Sequence, residues 1–160
     1  MGNITQQQAY EIEKQCLTIL EKNYECTCGM NARHFPIILS CDDNSCKLEL
    51  TDCGVEVGGG IDGSNIHLIN EVRNYREQVE CIVQNLKKNR VQHLDIHPLT
   101  DLGRNVCVKN GILSLIDFDL ASLGDDFLTQ KLELRYNDMI LQSKDYYDSI
   151  RQHLMNLEAE

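Results

Sequence analysis

Two short apolar runs, 106–108 and 112–116, are separated by Lys109-Asn110-Gly111. Asn-Gly readily takes the positive φ angles of a tight two-residue turn, so this segment is predicted to be a β-hairpin. A hairpin constrains more than its own residues, because its antiparallel ladder brings the entering and leaving chain to the same end. Those flanks are HLDIHP, residues 93–98, and IDFDLA, residues 116–121. Each carries an acid, Asp95 and Asp117, and two carboxylates on loops adjoining a rigid hairpin are placed to hold a cation.

The rest of the chain alternates helical and extended patterns. Residues 5–21 place Ile12, Cys16, Leu17, Ile19 and Leu20 on one side at helical spacing, with Glu, Gln and Lys opposite, which predicts an amphipathic helix. Residues 24–33 mix Cys, Gly and Asn without periodicity and read as a connection. Strands are predicted at 36–40 and 47–50, joined by the turn-forming residues 42–45. A second helix over 69–88 is predicted from the stripe Val72, Tyr75, Val79, Ile82, Val83 and Leu86. Further helices are expected around 128–141 and from 144 onward, where Tyr147, Ile150, Leu154 and Leu157 recur at helical intervals. The glycine-rich stretch 54–65 reads as a flexible link, because no Lys and Ser or Thr follow its glycines as a phosphate-cradling loop needs.

Composition narrows the function. With 160 residues the chain suits one domain, and a formal charge of -10 argues against a broad cationic face for nucleic acid. The basic cluster Lys87, Lys88 and Arg90 is placed to complement the carbonyl end of the second helix. No apolar stretch approaches the ~20 residues that cross a bilayer, and the N-terminus resembles neither a secretion signal nor a myristoylation site, so a cytoplasmic protein is expected. Most of the eight cysteines read as small buried hydrophobes in a reducing compartment. A four-thiolate zinc site from Cys26, Cys28, Cys41 and Cys46, and with it a cysteine-zinc adaptor, is the weakest of three functional readings.

Helix, polar turn with a central Asp, short strand pair, second Asp: this order in residues 69–121 resembles the catalytic loop and metal-binding segment of the protein-kinase-like superfamily. HLDIHP and IDFDLA are closest in style to the aminoglycoside and choline phosphotransferase branch and to compact viral kinases. The resemblance implies an ATP- and Mg2+-dependent phosphotransferase with Asp95 as catalytic base, His93 beside it in the catalytic loop, and Asn105 and Asp117 as metal ligands. Asp95 and Asn105 stand ten residues apart where the family spacing is about five. Either residues 99–104 loop out, or Thr100 takes the ligand position. Asp119 replaces the family's usual glycine, as a further ligand or as a structural hydrogen-bond acceptor.

The resemblance extends upstream. The first helix is similar to the family's αC helix, with Glu13 as the glutamate that pairs with a phosphate-holding Lys. KLELTDCG, residues 47–54, is similar to the strand and hinge that grip adenine, with Leu50 as gatekeeper and the backbone of Thr51 and Cys53 toward the adenine edge. The implied fold is α+β: a reduced kinase-like domain over 1–160, with 1–53 as remnant N-lobe and hinge and 54–160 as a small helical C-lobe with the catalytic hairpin. The twelve residues before Glu13 hold no Lys and no glycine-rich loop. A homodimer or partner protein is therefore expected to complete the N-lobe, and a non-catalytic pseudokinase module is the second functional reading.

Overall fold

The computed structural model describes residues 5–58, 65–93, 95–96, 103–123 and 146–158. The architecture is mixed α and β, with small antiparallel sheets set among helices. Helix α1 (Gln6–Lys22) opens on a reciprocal cap: the Gln8 amide donates to the Thr5 hydroxyl, and the Thr5 amide donates to the Gln8 side chain. Its apolar face buries Tyr10, Cys16, Leu17 and Leu20. Strands β1 (Ile38–Asp42) and β2 (Lys47–Leu50) form a hairpin behind that helix. Asp43 in the turn accepts from both the Tyr10 hydroxyl and the Lys14 ammonium, pinning hairpin to helix.

Part of the expected glycine-rich link is a strand. β3 (Val55–Glu56) pairs with β5 (Val106–Lys109), which pairs in turn with β6 (Ile112–Leu115). The pairing continues one residue on, where the Val57 amide donates to the Val106 carbonyl at 2.8 Å. Gly54 makes this approach possible, because at φ 102 a Cβ there would stand 2.2 Å from the Val108 carbonyl oxygen. Residues 59–64 lie outside the described segments.

The β5–β6 turn has Asn110 and Gly111 at φ 53 and 78, both positive as the Asn-Gly signal predicts. Helix α2 (Tyr75–Lys88) lies against β6 and against α3 (Tyr146–Glu158). The helix expected over 69–88 is shorter than its apolar stripe. A 3-10 helix at Ile66–Glu71 precedes an extended Val72 and a left-handed Asn74, and α2 starts only after that corner. Val72 is buried in the corner as it would be on a helix face, so its spacing carries no information about the break. Strands β4 (Val91–Gln92) and β7 (Ser122–Leu123) form a separate two-stranded antiparallel sheet. The helix expected at 128–141 lies outside the described residues. No helix among the described residues is long and apolar enough to cross a membrane.

A buried glutamine sets the height of the hairpin. Gln78 of α2 donates to the carbonyls of Arg73 (2.6 Å) and Gly111 (3.0 Å) and accepts from the Leu113 amide (2.8 Å). One side chain therefore satisfies backbone groups of the turn, of β6 and of the corner before α2. Gln78→Leu leaves those groups buried and unpaired, and the expected loss is about 3 kcal/mol or more in a denaturant titration. A loss within ~0.5 kcal/mol would show that the clamp carries no stability.

Candidate functional site

Asp95 follows β4, Asp117 follows β6, and Asp119 lies two residues further on. The hairpin brings one carboxylate oxygen from each to within 4.8 Å of the others, all half-buried. Backbone geometry aims them: Asn105 (φ 64), just before β5, and Asp117 (φ 67) both take left-handed conformations that side-chain-bearing residues rarely adopt. Asn105 donates through Nδ2 to the Asp95 carbonyl at 3.1 Å and to its carboxylate at 3.3 Å. The interval of ten residues is thus spanned in space, and Asn105 occupies the place beside Asp95. Thr100 lies outside the described residues.

His93 sits behind Asp95. Its Nε2–H donates to the Ile116 carbonyl at 2.7 Å, its Nδ1 accepts from the Asp95 amide at 3.1 Å, and its ring packs 4.8 Å from that of Phe118. The residue is fully buried. These bonds fix the neutral Nε2–H tautomer and give His93 a positioning place, tying the turn of Asp95 to the strand that delivers Asp117.

Glu13 reaches the same region from α1, its carboxylate accepting from the Phe118 amide at 2.9 Å. Burial pushes its carboxyl above the usual range; the Phe118 amide pulls it down and the nearby Asp119 pushes it up. None of these influences is cationic. Thr51 and Cys53 lie elsewhere, at the end of β2. The Thr51 amide donates to the Ile37 carbonyl at 3.0 Å and its hydroxyl accepts from the Ile37 amide at 2.9 Å, so both extend the β1–β2 sheet. The Cys53 thiol is pushed up mainly by burial. Neither residue joins the carboxylate cluster.

One contributor, Glu56, has no counterpart among the residues singled out from sequence. Glu56 of β3 accepts from the Asn105 amide at 2.6 Å, bracing the left-handed residue from the far side. Its signal was the alternation Val55-Glu56-Val57 directly after Gly54, too short to stand out from a glycine-rich stretch. Asp119 had two readings, and its surroundings favour the ligand. Its Oδ1 is buried with no hydrogen-bond partner. Burial first, then the adjoining Asp117 carboxylate, push its carboxyl up to about 6. Three convergent carboxylate oxygens, one lacking a donor, fit a hard divalent cation with oxygen preference, and Asn105 stands next to them.

No protein-family model matches the chain, and no curated protein matches it significantly.

The raised carboxyl of Asp119 sets a pH signature. Its stabilising contribution is full below the ordinary carboxylate range near ~4 and is lost as pH rises through about 6, where the buried oxygen ionises beside Asp117. A bound divalent cation favours the ionised form. Mg2+ is therefore expected to raise the unfolding temperature by roughly 4 °C or more at pH 7.5 and by much less at pH 5. Asp119→Asn should reduce the pH 7.5 gain; thermal melts showing equal Mg2+ gains at both pH values would contradict this.

Proposed function

We propose that the chain is a divalent-cation-dependent phosphotransferase of protein-kinase-like type, using ATP, or a diminished relative that retains the site. One observation carries the reading. Across an interval twice the family's usual spacing, Asn105 closes onto both the carbonyl and the carboxylate of Asp95, while Asp117 and Asp119 converge on the same point. A left-handed Asn, a left-handed Asp and a buried His support that convergence, and an ordinary solvated strand end has no need of any of them.

In this reading Asp95 orients an attacking hydroxyl and receives its proton, because its backbone and carboxylate are fixed by His93 and Asn105. Asp117 and Asp119, with Asn105 beside them, hold the cation. Mg2+ when bound would offset the negative charge that spreads over a phosphoryl group in transfer. Glu13 holds the Phe118 amide and so couples α1 to the position of Asp117 on one side and Asp119 on the other. A Lys to hold nucleotide phosphates would come from a second chain, as a homodimer or a partner protein.

That last requirement favours a second reading, a pseudokinase module that binds partners without turnover. Its specific support is Glu13, whose carboxylate is engaged by a backbone amide rather than by a cation.

Transfer of labelled phosphate from ATP decides between them. The phosphotransferase reading expects Mg2+-dependent transfer that falls about 10²-fold or more in Asp95→Asn. Equal label in wild type and variant would overturn it; nucleotide binding without any transfer would support the module.

A further inference from the structure

We propose that Cys26, Cys28, His34 and Cys81 form a structural zinc site that fastens the irregular segment after α1 to helix α2 and strand β6. The site is separate from the carboxylate cleft and does not depend on the phosphotransferase reading.

The segment between α1 and β1 has no regular secondary structure, yet it buries Cys28 and His34 as completely as core residues. Cys26 and Cys28 come from a turn that continues through left-handed Gly29 and Asn31. Cys81 arrives from the buried face of α2. The three sulfurs lie within 4.8 Å of one another. The Cys26 and Cys28 sulfurs are 3.5 Å apart, and Cys28 Sγ is 3.5 Å from His34 Nε2. Zinc bonds of about 2.3 Å to sulfur and about 2.0–2.1 Å to nitrogen put tetrahedral donors about 3.8 Å apart for two sulfurs and about 3.6 Å for a sulfur and a nitrogen. The Cys26–Cys28 and Cys28–His34 spacings fall within about 0.3 Å of these values.

The surroundings are those of a metal ligand set. His34 Nδ1–H donates to the Leu113 carbonyl at 2.6 Å, so the lone pair is on Nε2, the atom that faces the sulfurs. The Thr27 amide points at Cys81 Sγ from 3.3 Å, and Asn85 Nδ2 lies 3.7 Å from it. Such N–H donors stabilise thiolate sulfurs bound to zinc. With four protein donors the site is closed, which is the pattern of structural rather than catalytic zinc.

This set replaces the one expected from sequence. Cys41 is exposed on β1, and Cys46 sits in the β1–β2 turn with its sulfur toward the Asp43 carbonyl. The third sulfur of the set, Cys81, lies 53 residues beyond Cys28 in sequence.

Metal analysis of the full chain purified without chelator or added metal tests the proposal, together with the visible spectrum after cobalt(II) exchange. The expected results are about one zinc per chain and the absorption of tetrahedral, thiolate-bound cobalt. Cys41→Ser with Cys46→Ser should leave zinc content unchanged, whereas Cys26→Ser with Cys28→Ser should lower it by about tenfold. Wild-type protein with less than about a tenth of an equivalent of zinc and no cobalt spectrum would overturn the proposal, whatever the variants do. So would zinc that is lost on changing Cys41 and Cys46.

Discussion

Three carboxylates gathered within 4.8 Å repel one another, so their convergence has to be imposed by the scaffold. At an effective dielectric near ~20, two full charges at that distance repel by roughly 3 kcal/mol. The chain adds left-handed conformations at Asn105 and Asp117, each of which costs about 1–3 kcal/mol unless its surroundings hold it. The β5–β6 hairpin is what opposes both. Its Asn-Gly turn sets the register, Gln78 holds it against α2, and the Ile116 amide donates to the Asn105 carbonyl at 3.0 Å across its open end.

The hairpin is also where the two candidate centres meet. Leu113 of β6 donates its amide to Gln78 and accepts from His34 at its carbonyl. The Leu115 amide donates to the His34 carbonyl at 2.8 Å. The cysteine-rich segment thus docks on the same strand whose far end delivers Asp117. On the other flank, Phe118 packs between His93 and Phe35, with ring centroids 4.8 and 6.0 Å apart. The residue separating Asp117 from Asp119 is itself a core anchor. Small movements of the segment around Phe35 or of α1 would be felt directly at the carboxylates.

Much of this was legible in the residues. The hairpin, the β1–β2 turn, helix α1 and the final helix follow from apolar spacing and turn chemistry, which are local signals. The pairing of Asp95 with Asp117 was implied by the kinase-like resemblance of the segments flanking the hairpin, and the Asn105 contact that holds Asp95 there is tertiary. Strands β4 and β7 are two residues long and carry no periodicity to detect. The α2 boundary was hidden because Val72 is buried in the corner just as it would be on a helix face. The engagement of Glu13 by Phe118, 105 residues away, and the union of Cys81 with Cys26 and Cys28 are products of tertiary approach. No spacing rule reaches that far; the sequence showed only eight cysteines and, through the resemblance, Glu13 on the first helix.

The convergence of the carboxylates is most directly tested by titrating Mn2+ into the protein at neutral pH and following free ion by electron paramagnetic resonance. The account predicts saturable binding that weakens by about tenfold or more in Asp117→Asn. Binding that never saturates, or that is the same in wild type and Asp117→Asn, would contradict it.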